Sequence, residues 1–312
     1  MKAVFLDYKD INIGDLSWEP LENLCDLTVY ETTEENEKIE RIGDAEIVFM
    51  DSASISREVI ESCPNLKYLG IAATGFNHID LEAAKEHGIA VCNVPAYSTT
   101  AVSQHAISHL LNITNKINYF DKELRKSIES EANGGKNWVD ISTPHFNKMP
   151  LNLLEGKSIG IIGYGNIGKR VAAIAEALGM TVNIYSRDKE ATIKSDVISL
   201  HCPLDDNNRG MINDEFISQM KDGAIFINTA RGGLVDEEAL AKALKSGKIA
   251  AAGLDVTVNE PPEADCPLLE CENCFITPHM AFMPKETRAR VVSVCADNLK
   301  AFLNGEKLNR LV

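Results

Sequence analysis

The chain has 312 residues, 45% of them hydrophobic and 25% charged, a globular composition that excludes collagen-like, coiled-coil and disordered chains and, at roughly 150 residues per domain, predicts about two domains. Its 31 Lys and Arg against 46 Asp and Glu leave a formal net charge of −15, so a phosphate backbone meets repulsion over most of the surface and nucleic acid is not expected as a partner. No run approaches the roughly 18 apolar residues of a membrane span, Asp7 and Asp10 stand where a signal peptide needs its apolar core, and eight scattered cysteines fit reduced thiols, so a soluble cytoplasmic protein is expected.

Short apolar or β-branched runs at 3–6, 27–30, 47–50, 68–72 and 89–92 alternate with helix-like stretches such as 56–62 and 81–86, the second stopped by Gly88. This alternation predicts an α/β unit with a parallel sheet. The acidic run 31–40, with five Glu and one Lys, reads as a solvated helix face. From Ser98 to about Lys126, apolar residues at 106, 110, 113, 117, 120 and 124 predict one long helix with a narrow seam. Such a seam suits a helix of its own domain or a second subunit. The stretch 129–150, with Gly134, Gly135, Pro144 and Pro150, is expected to be a loop or crossover.

A second α/β series follows, with strands expected at 158–162, 181–185, 197–200, 224–228, 251–254 and 275–277. The clearest helix between them is 237–246, with Asp236 as its N-cap and Gly247 as its stop. Six strands with intervening helices match a doubly wound dinucleotide-binding fold. A last helix is expected over 285–304.

Directly after the first of these strands comes Gly163-Tyr-Gly165-Asn-Ile-Gly168, a Gly-x-Gly-x-x-Gly that opens a helix with Ile167, Val171, Ile174 and Leu178 inward. Gly163 allows the tight turn, Gly165 lets a pyrophosphate approach the backbone, and Gly168 lets helix and strand pack closely. The helix N-terminus offers free N–H groups to the anion. About 20 residues on, such a site usually places a carboxylate to hold the adenosine ribose. Here the strand ends in Ser186-Arg187-Asp188. Without a negative charge at 186, a 2′-phosphate is no longer repelled and Arg187 can pair with it, which favours NADP(H) over NAD(H). The alternative is a solvated Arg187 with Asp188 reaching the ribose.

Three polar residues stand just past later strands: Arg231 in Asn228-Thr-Ala-Arg231-Gly-Gly, Glu260 in the segment that begins Gly253-Leu-Asp255, and His279 in Thr277-Pro-His279-Met-Ala. Open α/β sheets bind ligands at these ends. Together they suit a 2-oxo acid: Arg231 can grip its carboxylate and carbonyl, His279 can protonate the carbonyl oxygen, and Glu260 can orient the imidazole and favour its charged form.

These motifs in this order, with Ala73-Thr-Gly-Phe-Asn-His-Ile-Asp80 and Val94-Pro-Ala-Tyr-Ser98, resemble the D-isomer-specific 2-hydroxyacid dehydrogenase family over essentially the whole chain, and its glycerate dehydrogenase/hydroxypyruvate reductase branch in particular. The resemblance implies a Rossmann domain at 98–281 and a smaller, discontinuous flavodoxin-like substrate domain at 1–97 and 282–312. It implies that Arg231, Glu260 and His279 are catalytic, that Asp255 holds the nicotinamide carboxamide, and that N–H groups around Thr74 and Gly75 bind the substrate carboxylate beside Arg231 and His279. The cofactor set then comprises Gly163, Gly165, Asn166, Ile167, Gly168, Ser186, Arg187, Pro203, Thr229, Ala230 and Asp255. A homodimer through the long helix is implied, as is reduction of hydroxypyruvate or glyoxylate. Ser186, in place of the usual acidic residue, departs from the pattern and weighs against plain NAD dependence, while Phe282 (where the branch often has Trp) and Gln104-His105 (where many members have an acidic residue) leave the substrate side chain open.

Two rivals share the scaffold: a nucleotide-sensing corepressor-like binding protein, and a formate- or phosphite-type dehydrogenase. Cys266, Cys271 and Cys274 ahead of His279 invite a zinc reading, but a metal there would remove the acid, and none is expected. The other histidines, 78, 87, 105, 109, 145 and 201, read as structural, with His201 expected near the adenosine side of the cofactor.

Overall fold

The computed structural model describes residues 1–132 and 151–312, and the chain divides into two units, Met1–Ser98 with Phe282–Val312, and Thr99–Ala281. The first unit holds strands β1 (Lys2–Phe5), β2 (Asp26–Val29), β3 (Ile47–Met50), β4 (Tyr68–Ile71) and β5 (Ala90–Cys92), with helices α1 (Glu19–Glu22), α2 (Lys38–Ile42), α3 (Arg57–Ser62) and α4 (Leu81–Glu86) between them. Its sheet is parallel throughout, in the order β2-β1-β3-β4-β5. Because both faces are covered, β3 and β4 are buried along their whole length, which is why they appear in the sequence as continuous apolar runs.

One face packs Val48, Met50, Leu69 and Ile71 against Val59, Ile60, Ala83 and Ala84. The other packs Phe5, Phe49 and Tyr68 against Val291, Val292, Cys295 and Leu299 of the last helix, Lys285–Leu303. The chain therefore returns to this unit at its end because the sheet's second face needs that cover. Arg288 of the same helix, nearly fully buried, is matched by a forked pair with Asp15 at 2.8 and 2.9 Å.

The second unit begins with α5 (Thr99–Asn115) and α6 (Ile117–Ala132), followed by β6 (Ser158–Ile162), α7 (Asn166–Ala177), β7 (Thr181–Ile184), α8 (Lys189–Ile193), β8 (Val197–Leu200), α9 (Asp214–Gln219), β9 (Ala224–Asn228), α10 (Glu237–Ser246), β10 (Ile249–Leu254) and β11 (Cys274–Ile276). Its parallel sheet runs β11-β10-β9-β8-β6-β7. The order reverses at β6, whose neighbours are β7 and β8, and ligands of open sheets bind at such a switch point. Asp236 caps α10 and Gly247 ends it in the left-handed region, as the sequence predicts.

Three expectations are corrected. The single helix over 98–126 is two: Lys116 has a φ of 50°, α5 ends before it, and the burial of the apolar seam falls off there, since Ala106, Leu110 and Ile113 are buried while Ile117 is 66% exposed and Phe120 and Leu124 are only partly buried. Residues 129–132, expected in a loop, continue α6; the rest of that expected loop, and His145 with it, lies outside the described residues. The acidic run is likewise not one solvated face. Lys38 is buried in α2 and bonded to Glu35 and to Ser54, so one of its charges is internal and paired.

Among the described residues, no helix is long and apolar enough to cross a membrane. The closest backbone approach in the glycine-rich turn is at Gly168, where an added Cβ would lie 2.0 Å from the Gly163 carbonyl oxygen. Gly168→Ala should therefore destabilise this unit by roughly 1–3 kcal/mol, the usual cost of overpacking, measured by urea unfolding followed by circular dichroism.

Candidate active site

All six strands of the second unit are parallel, so their carboxyl ends form one edge, and Gly163, Ser186, Pro203, Thr229, Arg231, Asp255 and His279 follow strands that end there. The loop after β6 carries Gly163, whose φ of 97° suits only glycine, and a Cβ there would lie 2.3 Å from the Cys202 amide nitrogen. Gly165 is the N-cap of α7, and nothing lies within 4 Å of where its Cβ would be. The loop is thus closed behind Gly163 and Gly168 and open in front of Gly165. Asn166 and Ile167 form the first turn of α7, where amide hydrogens lack intrahelical acceptors. His201 and Thr229, at the ends of β8 and β9, each bury a polar atom, Nδ1 and Oγ1, with no partner among the described residues. Burial lowers the His201 pKa to about 3, so its imidazole is neutral, with Nε2 2.9 Å from Ser199 Oγ. An open glycine cradle, free helix amides and two orphaned polar atoms fit a dinucleotide.

At the end of β7, Asp188 caps α8, its Oδ1 accepting from the Ala191 amide at 2.9 Å. The carboxylate offered as an alternative ribose ligand is therefore engaged in its own helix. The Arg187 guanidinium lies 5.1 Å from the Tyr164 ring centroid and the Lys169 ammonium 6.0 Å from it, so positive charge gathers beside the phosphate loop. Pro203 follows β8, and its carbonyl accepts from Asn208 Nδ2 at 2.8 Å.

Past β9 the backbone is fixed by Asn228, whose side chain accepts from the Ala230 amide and donates to the Arg231 carbonyl, both at 3.0 Å. Gly232 is required there because a Cβ would overlap the Thr257 carbonyl at 1.9 Å. Arg231 is exposed, one arm donating to the Ala230 carbonyl at 2.7 Å. Glu260 accepts from the Thr257 amide through Oε1 at 3.3 Å, and its Oε2 lies 2.6 Å from His279 Nδ1. That hydrogen bond raises the His279 pKa above its ordinary 6.5, against desolvation and the nearby Arg231 charge. With Nδ1 engaged by Glu260, proton exchange with a ligand falls to Nε2. The sequence-predicted Arg, Glu and His are thus close to one another on one edge.

The turn carrying His279 is tied to Asp255, which is 1% exposed. The Asp255 carbonyl accepts from the His279 amide at 2.8 Å. Its Oδ1 accepts from Thr277 Oγ1 at 2.6 Å and the Met280 amide at 3.0 Å, and its Oδ2 from the Ala281 amide at 2.8 Å. Burial works to raise the Asp255 pKa, but hydrogen bonds from His105, Thr277 and these amides outweigh it and leave the carboxyl below its ordinary value. His105 and His109 of α5, read from sequence as structural, reach Thr277 Oγ1 with their Nε2 atoms at 2.9 and 3.2 Å. The available signal was a pair of histidines at i and i+4 on a largely apolar helix face.

In the first unit, Thr74 and Gly75 follow β4. Thr74 Oγ1 donates to the Val94 carbonyl at 2.9 Å, and Asn93 Nδ2 donates to the Thr74 carbonyl at 2.8 Å. Both Thr74 and Gly75 are exposed. Among the described residues, no group of three His, Cys, Asp or Glu side chains is placed to hold a metal ion.

Comparison with known proteins agrees with this layout. Residues 107–281 match the family model described as D-isomer specific 2-hydroxyacid dehydrogenase, NAD binding domain. The chain is similar to a hydroxypyruvate reductase of Blautia hydrogenotrophica, 42% identical over 99% of each chain, and to a glycerate dehydrogenase of Methylorubrum extorquens, 35% identical over 99% of this chain and 98% of that one. Its structure is similar to that of the protein TT0316 from Thermus thermophilus, with a TM-score of 0.85 and 32% identity over the whole of both chains.

Because Gly165 faces open space, Gly165→Ala should leave the melting temperature within about 1 °C while weakening reduced-dinucleotide binding by about 10-fold, as expected where a pyrophosphate approaches the backbone. Fluorescence titration beside a thermal melt measures both.

Proposed function

The chain belongs to the D-isomer specific 2-hydroxyacid dehydrogenase family and moves a hydride between a nicotinamide cofactor and a small 2-hydroxy acid; we propose that the oxo acid is hydroxypyruvate or glyoxylate, and that Arg231, Glu260 and His279 carry the chemistry. The observation that carries this reading is the 2.6 Å contact between His279 Nδ1 and Glu260 Oε2, with Arg231 beside it.

When bound, the cofactor supplies or accepts the hydride at the substrate's second carbon. His279 gives a proton from Nε2 to the carbonyl oxygen during reduction and takes it back during oxidation. Glu260 fixes the ring and stabilises its charge, so the proton is present when the alkoxide develops. Arg231 presents a fork of donors to the carboxylate and carbonyl oxygens, orienting the carbonyl and stabilising the charge that builds on it. The backbone around Thr74 and Gly75 receives the carboxylate, and Asp255 accepts a hydrogen bond from the carboxamide. Residues 98–281 are the dinucleotide domain in this reading, and 1–97 with 282–312 the substrate domain. A homodimer is part of the reading, supported by exposed Ile117, Leu151 and Leu153.

NADP(H) is favoured over NAD(H): Ser186 offers no negative charge, Asp188 is engaged as a cap, and Arg187 and Lys169 both lie near the Tyr164 ring. Turnover of hydroxypyruvate and glyoxylate with each reduced cofactor, followed by cofactor absorbance, tests the substrate assignment; no turnover of either acid would remove it. Ser186→Asp should lower the NADPH/NADH ratio of kcat/KM by about 10-fold, equivalent to about 1.4 kcal/mol, and an unchanged ratio counts against the NADP(H) assignment.

The pH dependence follows from His279. Its folded pKa is raised, so reduction needs the protonated form, is fastest below that pKa and falls as pH rises through it, whereas oxidation rises over the same range. Glu260→Gln removes the carboxylate that raises the pKa, so the falling limb of the reductive kcat/KM profile should move to lower pH.

A further inference from the structure

The contacts of His105 and His109 go beyond packing. Two acceptors face the Thr277 hydroxyl, Asp255 Oδ1 at 2.6 Å and the Leu254 carbonyl at 3.3 Å, and the shorter, ionised partner takes the single hydroxyl hydrogen. Its oxygen then has lone pairs only to offer, and His105 Nε2 and His109 Nε2 both converge on it, at 2.9 and 3.2 Å. Both imidazoles must therefore carry hydrogen on Nε2 and donate. His105 Nε2 also lies 3.3 Å from Asp255 Oδ1.

The arrangement is fitted into the fold. The two rings stack edge to face with centroids 4.8 Å apart. His109 occupies the space in front of β10 that Gly253 leaves open: a Cβ on Gly253 would lie 2.6 Å from His109 Cβ and 2.9 Å from its Nδ1. Burial, with the neighbouring His105 adding to it, lowers the His109 pKa to about 4, so this ring is a neutral donor. A leucine would fill the same volume without donating.

We propose that His105 and His109 are positioning residues whose Nε2–H groups orient the Thr277 hydroxyl toward Asp255, so that helix α5 fixes the carboxylate that receives the nicotinamide carboxamide and, through it, the turn that carries His279. The inference rests on the role of Asp255 in the reading above. It predicts that loss of either donor is felt at the nicotinamide end of the cofactor and not at the adenosine end.

The test compares dissociation constants for reduced dinucleotide and for ADP-ribose, which lacks the nicotinamide, by titration calorimetry without substrate, with circular dichroism as the check on folding. His105→Leu and His109→Leu should each weaken dinucleotide binding by about 10-fold, the scale of a buried hydrogen bond to a charged network, and leave ADP-ribose within about 2-fold. His105→Gln, which restores an N–H donor, should return dinucleotide binding to within about 3-fold of the parent. If the leucine variants do not fold, Thr277→Val against Thr277→Ser makes the same comparison, with only valine losing the nicotinamide-dependent part. Equal losses for both ligands, or no rescue by Gln or Ser, would overturn the proposal. Asp255→Asn separates the premise from the inference. If it changes dinucleotide binding and the histidine variants do not, the histidine role alone fails; if it changes nothing, both fail.

Discussion

The buried carboxylate of Asp255 is the constraint on which the turn that carries His279 depends. A charge removed from water must be compensated by hydrogen bonds or be lost to protonation, and here the compensation comes from His105 of α5, the Thr277 hydroxyl and the backbone amides of Met280 and Ala281. All but His105 belong to the turn after β11. His279, inside that turn, has a φ of 48°, a conformation costly for a side chain of its size, and its own amide is held by the Asp255 carbonyl. The carboxylate is stabilised by the turn, and the turn is held in its strained form by the carboxylate.

From this the electrostatics of the imidazole follow. Glu260 and Asp255 favour its protonated form, while desolvation and Arg231 oppose it, and the 2.6 Å contact with Glu260 decides the sign. An arginine close enough to serve the same substrate necessarily works against the acid beside it. A glutamate on the far nitrogen resolves that conflict without occupying Nε2. The cofactor edge is managed differently: it has a helix N-terminus, an open Gly165 and positive side chains, and its conspicuous carboxylate, Asp188, is tied into a cap.

What could be read from the residues alone follows the range of the interactions involved. The glycine turn at Gly163, Gly165 and Gly168 is legible because the turn, the strand before it and the helix after it are local, and the placing of Arg231 and His279 because each closely follows a strand whose apolar run marks its end, whereas Glu260 meets His279 only through the fold. The family resemblance supplied Asp255, Thr74 and Gly75. His105 and His109 were not legible as part of a site, since their partner Thr277 is 172 and 168 residues away and helix periodicity reports burial but not what a buried polar atom meets. The break at Lys116 is not legible because the apolar spacing continues across it, and lysine carries no signal for a left-handed residue. Lys38 looked solvated because its pairing with Ser54 depends on tertiary structure.

In the proposed reaction His279, held by Glu260, delivers the proton to the substrate carbonyl with Arg231 beside it. A crystal structure with reduced cofactor and an unreactive oxo-acid analogue such as oxamate measures this directly. The expected result is the analogue's carbonyl oxygen within about 3 Å of both His279 Nε2 and the Arg231 guanidinium, with His279 Nδ1 still on Glu260. An analogue bound with that oxygen facing other groups, or an imidazole turned away from it while Glu260 keeps its place, would rule out His279 as the acid.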